Sequence, residues 1–320
     1  MIQIAVAAVT HKRPDMFRVL LDSFAAMARP EGAEVTFVFV ENGEAPTVGE
    51  IVEAFRGQVA EEVLFDIEPR PGIPMVRNRA LQIALEKGCD YMTFVDDDER
   101  VTEDWLVRMI GAVTERDLDL AGGPLVLEAA EDRIGAWPAA FLEHLQERAK
   151  KRNLQRAEGV RAGTDDAFNI YTNNWCVRLD KVRETGLRFD EALQFTGGSD
   201  TKFSRDFTAA GARTGWVPEA LVYDRIPERR LQAGYHYRRA RDQSTNAYVL
   251  NRKPAGQAIA QSLSRAIEGV VLMAVSPLLG RRHAAKAVYK FGYAAGRFRG
   301  ILGRGSRHYD PEKAAAHREE

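Results

Sequence analysis

FVDDDERVTEDW, residues 94–105, is where a short apolar run, Met92-Thr93-Phe94-Val95, ends abruptly in Asp96, Asp97 and Asp98. Three adjacent carboxylates repel one another and are costly to hold together without a counter-charge. A buried strand that delivers such a cluster to its carboxyl end indicates both a sheet and a site.

The flanking sequence has the same character. Residues 2–9 are apolar and rich in small and β-branched side chains, as in a buried strand. Residues 14–27 carry Phe17, Leu20, Leu21 and Phe24 at helical spacing, with a proline at the start. Strands are expected at 35–40, 63–67 and 91–95. Helices are expected near 49–55 and over 74–87, where Gly88 stops the chain, and from an N-cap at Thr102 to about Thr114. Strands that are apolar throughout, alternating with helices, predict an α/β fold with a mostly parallel, Rossmann-like sheet covered on both faces. Ligands of such sheets bind beyond the carboxyl ends of the strands. Thr10-His11-Lys12, Glu41-Asn42 and the three aspartates all fall there.

The second half is less regular. A helix is expected over 137–156, with 148–161 charged and exposed and 159–166 loop-like. A strand follows at 172–177. Residues 187–190 lead into the turn Gly197-Gly198-Ser199-Asp200, then a helix to about Ala210 and a last strand at 216–223. No internal repeat is visible.

Composition bounds the class. The chain has 320 residues, 45% hydrophobic and 28% charged, as in a soluble globular protein with a full core. The net charge is −1, but from Arg225 to Arg307 the acids are only Glu228, Asp242 and Glu268, so an acidic body carries a basic tail. With two cysteines and no basic leader before the first strand, the expectation is a reduced, cytoplasmic setting. The basic tail carries no recognised nucleic-acid module, so no nucleic-acid partner is expected.

An Asp-x-Asp pair presents two hard oxygens, which suits Mg²⁺ or Mn²⁺ bridging to nucleotide phosphates. The stretch is not an EF-hand loop, because the glycine and the later ligands are missing. Asp200 follows two glycines at a helix start. An ordinary aspartate near a helix N-terminus reads the same way, but that position would also keep a general base ionised.

Several stretches in order then resemble the inverting glycosyltransferases of family 2, which have the GT-A fold. They are AAVTHKRPD, VFVENG, MVRNRAL, FVDDDE with Trp105-Leu106 after it, YTNNWCVR, RFDEAL and TGGSDTKF. The resemblance covers roughly 1–240 and is nearest the branch that builds bacterial exopolysaccharides of the succinoglycan type. It implies a nucleotide-sugar half (about 1–125) and an acceptor half (about 126–240). Thr10, Glu41, Asn42, Arg77, Asn78 and Asp96 would hold the nucleotide. Asp98 would coordinate the metal, and Asp200 would be the general base. Asn174, Gly198, Ser199, Arg229 and Arg239 would lie on the acceptor or diphosphate side, with Arg230 and Arg238 as further sources of positive charge. The implied reaction moves a sugar from a nucleotide diphosphate sugar, expected to be a UDP-sugar, to a glycan or lipid-linked hydroxyl, forming a β-glycoside. Two departures stand out. Ser199 occupies a position that is often an acid, and Tyr223-Asp224-Arg225 stands where many members place a histidine, which makes Asp224 a candidate metal ligand.

Residues 241–307 read as a basic, amphipathic helical tail. In 256–279 the apolar run is broken by Glu268 and Pro277 and reads as too short to span a bilayer. In 284–303, Val288, Phe291, Ala295, Phe298 and Leu302 form one face, and Lys286, Lys290, Arg297 and Arg304 the other. Such a helix fits an anionic membrane interface. A helix packed on the domain is equally compatible. The expectation is peripheral association through 256–304 at the inner face of a bacterial membrane, with 308–320 disordered. Two other readings remain. One is a sugar nucleotidyltransferase, which should carry a Gly-rich loop that Thr10-His11-Lys12-Arg13-Pro14 lacks. The other is a nucleotide-sugar or carbohydrate-binding protein without turnover.

Overall fold

The computed structural model describes residues 1–194, 197–251 and 254–303. They form two compact units that interleave along the chain. The first takes Met1–Val126 and Lys150–Asp224; the second takes Leu127–Ala149 and the chain from Arg225 onward.

In chain order the elements are β1 (Ile2–Thr10), α1 (Pro14–Ala26), β2 (Ala33–Asn42), α2 (Gly49–Arg56), β3 (Glu62–Glu68), α3 (Ile73–Glu86), β4 (Tyr91–Asp96), β5 (Glu99–Val101) and α4 (Trp105–Glu115). Then come β6 (Leu120–Gly122), β7 (Leu125–Ala129), α5 (Ala136–Ala162), β8 (Trp175–Arg178), α6 (Leu179–Thr185), α7 (Ser199–Ala209), β9 (Thr214–Trp216), β10 (Val222–Ile226), α8 (Ala233–Asn251), α9 (Ala255–Leu279) and α10 (Arg281–Ile301).

The first unit is a mixed α/β structure. Its central sheet has the order β3-β2-β1-β4-β8-β6-β9 and is mostly parallel. Only β8 runs against its neighbours, β4 and β6. Side-chain alternation sorts the core into two clusters on opposite faces. Ile4, Val6, Ala8, Phe37 and Phe39 pack with α1, α2 and α4 on one face. Ala5, Ala7, Val38 and Val40 pack with α3, α6 and α7 on the other. A smaller sheet has the order β5-β10-β7.

The first half agrees with the pattern read from sequence to within a residue or two at most ends. The N-cap differs: α4 starts at Trp105, and the Thr102 hydroxyl donates to Asp104 instead of capping the helix. The later half departs further. Residues 159–162 are helical, not loop, because α5 runs on to Ala162. Gly159 sits inside that helix where the Phe168 ring occupies the space of a Cβ. The stretch 148–161 is not uniformly exposed, since Arg156 is buried with its guanidinium over the Trp216 ring. Residues 172–174 form a 3-10 turn, and the strand is confined to 175–178. The expected last strand over 216–223 is two strands in different sheets, because Pro218 cannot donate to a ladder and residues 217–220 turn instead.

In the second unit, Phe141, Ile226, Leu231 and Ala285 form a core, and α10 packs on α8 through Gly292, Gly296 and Gly300. Within α10 this corrects the faces expected of three residues. Arg297 is buried and donates to the Tyr293 hydroxyl, whereas Phe298 and Leu302 are exposed. Arg304 and 308–320 lie outside the described residues. The length expected of 256–279 is also corrected. Residues Ala255–Leu279 form one continuous helix of 25 residues, long and apolar enough to cross a membrane by length and composition. Pro277 falls in its last turn and does not break it. Leu263, Ile267 and Val270 are more than half exposed along α9.

Candidate active site

The register of the sheet assembles the polar strand ends. Thr10 lies beside Glu41 across β1 and β2, and Val9 beside Asp96 across β1 and β4. The three aspartates therefore sit at the carboxyl edge of the central strands. Asp97, only 5% exposed, turns inward and accepts from the Thr10 hydroxyl at 2.8 Å. The counter-charge that the cluster requires is Arg13, whose Nη1 lies 2.8 Å from Asp97 Oδ1 and 3.2 Å from Asp98 Oδ2. Burial alone would lower the Arg13 guanidinium, yet Asp97 and Asp98 raise it above its ordinary value.

Asp96 faces Arg77 at 3.4 Å, and its backbone N–H donates to Glu99 Oε2 at 2.7 Å. Burial, with Asp98, Asp97 and Asp200 nearby, pushes the Asp96 carboxyl upward against the pull of Arg77. Glu99 is buried. Burial and the charges of Asp96, Asp224 and Asp98 hold its carboxyl well above the usual range. Asp224 enters through β10, paired with Glu99 on β5.

Among the described residues, no three His, Cys, Asp or Glu side chains form a set that could hold a metal on their own. The donor set still fits a hard cation of the Mg²⁺ class, which takes one or two carboxylates and completes its shell with phosphate oxygens and water. Asp98, with Asp224 on the strand β10 that pairs with β5, could supply such oxygens.

Several residues expected to touch the nucleotide are occupied within the fold. Thr10 is committed to Asp97. Glu41 is 1% exposed and accepts from Thr47 and the Val48 N–H. Asn42 donates to the carbonyls of Glu68 and Arg70 and accepts from the Gly72 N–H, which fixes the loop before α3. Asn78 donates to the Phe189 carbonyl and accepts from the Phe189 N–H. Asn174, placed by sequence on the acceptor side, is 1% exposed. It accepts from Trp105 Nε1 and donates to the carbonyls of Pro124 and Ala220. These asparagines clamp loops in this conformation. Arg77 remains beside the carboxylates, with Phe94 and Phe189 packed against its guanidinium.

Asp200 is the second residue of α7, entered through Gly198 at φ 89°, which only glycine adopts readily. Ser199 is buried, while Asp200 is partly open. Asp200 is among the charges that raise Asp96. Arg229, in the 3-10 turn Glu228–Leu231, and Arg239, on α8, both belong to the second unit and are exposed.

Neither Arg13 nor Glu99 stood out as a site residue in the sequence, and Asp97 stood out only as a member of the cluster, without a role. The available signal was the need for a cation near three acids, and Arg13 lies in the turn that follows β1, just before Pro14.

Comparisons with known proteins bear on the family and the fold. A model of glycosyl transferase family group 2 matches residues 91–281. The succinoglycan biosynthesis protein ExoM of Rhizobium meliloti (strain 1021) is 28% identical over 303 residues, covering 92% of this chain and 93% of that one. Among solved structures, TarS of S. aureus superposes with a TM-score of 0.52 at 16% identity, covering 94% of this chain and 92% of that one. The mannosyltransferase PcManGT from Pyrobaculum calidifontis, in complex with GDP-Man and Mn²⁺, gives a TM-score of 0.54 at 13% identity, covering 99% and 79%.

Proposed function

The chain belongs to glycosyl transferase family group 2 and is a glycosyltransferase. From that premise we propose that it transfers a sugar from a nucleoside diphosphate sugar to a hydroxyl acceptor with inversion, in exopolysaccharide synthesis. The observation that carries this reading is the meeting of two carboxylate groups from distant parts of the chain. Arg77 links them: it lies 3.4 Å from Asp96 and packs on Phe189, whose ring stacks on Phe203 of α7, the helix that begins at Ser199-Asp200.

The two groups divide the work. Arg77 and Asp96 bind the donor's nucleotide side. Asp98, with Asp224, would hold Mg²⁺ or Mn²⁺, which when bound stabilises negative charge on the departing diphosphate. Asp200 takes the proton from the acceptor hydroxyl as that oxygen attacks the anomeric carbon. One base and one displacement give inversion, so an α-linked donor yields a β-glycoside. Solved relatives by fold are complexed with UDP-GlcNAc or GDP-Man, which makes UDP- and GDP-sugars the donors to try first. The ExoM relative points to a growing saccharide as acceptor.

The test is nucleotide release from a panel of UDP- and GDP-sugars with Mn²⁺, with and without saccharide acceptors. Acceptor-dependent release supports the reading. Tight nucleotide binding with no release would leave a binding protein of the same fold.

We also propose that α9 places the enzyme at a membrane. Its exposed Leu263, Ile267, Val270, Val271 and Leu278 form an apolar face that water penalises. Lys286 on α10 is exposed, and Arg281 and Arg282 precede it. Vesicles containing anionic lipid should co-sediment the full chain, and Leu263→Glu with Ile267→Glu should release it. Equal recovery of both proteins in the supernatant would contradict this placement.

A further inference from the structure

Asn78 makes an unusual pair of bonds. Its side-chain amide accepts from the Phe189 N–H at 2.8 Å and donates to the Phe189 carbonyl at 2.9 Å. It therefore pairs with residue 189 as a neighbouring strand would, although 111 residues separate them. Both strong positions of the amide are used, and a third contact reaches Glu191 at 3.4 Å.

What Phe189 holds gives the clamp its meaning. Its ring is 2% exposed and stacks on Phe203, with centroids 4.7 Å apart and planes at 25°. Phe203 lies on α7, one helical turn after Asp200, so the two share one face of that helix. Trp175 of β8 packs on both rings and fixes the pair against the sheet. Next to Asn78 on α3, Arg77 reaches Asp96 and packs on the same Phe189 ring. Two consecutive residues of α3 thus tie the donor carboxylate and the helix bearing Asp200 to one aromatic cluster.

We propose that Asn78 is a positioning residue for Asp200, acting through Phe189 and Phe203, and not a nucleotide contact. The inference rests on the assignment of Asp200 as the base. Reaction rates respond steeply to base geometry, since a misplacement of about 1 Å costs about a hundredfold. Removing the clamp should therefore act on the transfer step and spare donor binding.

The experiment compares the full chain with Asn78→Ala and Asn78→Asp. Asn78→Asp keeps the acceptor for the Phe189 N–H and places an oxygen against the Phe189 carbonyl. Three quantities are read: the Kd for UDP with Mn²⁺ by calorimetry, kcat and KM for transfer, and amide exchange over 187–194 and 197–203. Asn78→Ala should lower kcat about ten- to a hundredfold with donor KM and UDP Kd changed less than about twofold. Amides of both segments should exchange faster. Asn78→Asp should be impaired at least as much as Asn78→Ala, because its carboxylate repels the Phe189 carbonyl to which the amide donated. Loss of UDP affinity with unchanged exchange would overturn the proposal and restore Asn78 as a nucleotide contact. If the parent protein turns over no donor, the transferase reading fails, and the exchange data still decide whether the clamp exists.

Discussion

Asp200→Asn should reduce transfer by a factor of about 10² to 10⁴, the usual range for general-base removal, while UDP affinity stays within about twofold of the parent. The substitution keeps the size and hydrogen-bonding shape of the side chain. It leaves α7 intact, because the helix is entered through Gly198 and held by Phe203 and Phe207 in the core. Only the capacity to take a proton is lost. A neutral amide also removes one of the charges that raise Asp96. Calorimetry with UDP alongside initial-rate kinetics separates the two effects. Full turnover by Asp200→Asn would remove Asp200 from the mechanism.

Asp98→Ala should abolish the Mn²⁺-dependent part of nucleotide affinity, a loss of tenfold or more by the role assigned to this carboxylate among the hard oxygen donors. Two of the neighbouring acids, Asp97 and Glu99, cannot take its place. Asp97 is turned inward to Thr10 and Arg13. Glu99 is buried and accepts from the Asp96 N–H. Arg13 keeps its closer carboxylate, Asp97, when Asp98 is removed, so the fold should lose little stability. Calorimetric titration of UDP with and without Mn²⁺ checks this. Unchanged Mn²⁺-dependent affinity would exclude Asp98 as the principal ligand.

The layout of the first half was legible because each strand is an unbroken apolar run ending in polar residues, and parallel order places all those ends on one edge. Asp96, Asp98 and Asp200 could be picked out because they sit at such an end or at a helix start. Asp97 was not interpretable alone. Its role depends on Arg13, 84 residues away in sequence, and on the depth to which the turn buries it. Glu99 gains its meaning only from the pairing of β5 with β10. Asn42, Asn78 and Asn174 show the limit of a motif. A motif marks a position as part of a site, but only geometry shows that its amide is spent on backbone groups. In the second half, β8 reverses direction, and short strands without periodicity merge with turns, so boundaries slipped. The α9 helix was underestimated because Glu268 and Pro277 looked like interruptions. Glu268 is paired with Arg265 at 2.8 Å and Lys290 at 2.5 Å, and Pro277 lies where its helix is already ending.

The account rests on a single displacement at the anomeric carbon, with Asp200 on the acceptor side of the Asp96–Asp98 strand end. Proton NMR of the product formed from an α-linked nucleotide sugar tests this most directly. The anomeric coupling of the transferred sugar should report a β-linkage from the first turnovers. An α-linked product would mean retention, which one base and one displacement cannot give, and would contradict the mechanism.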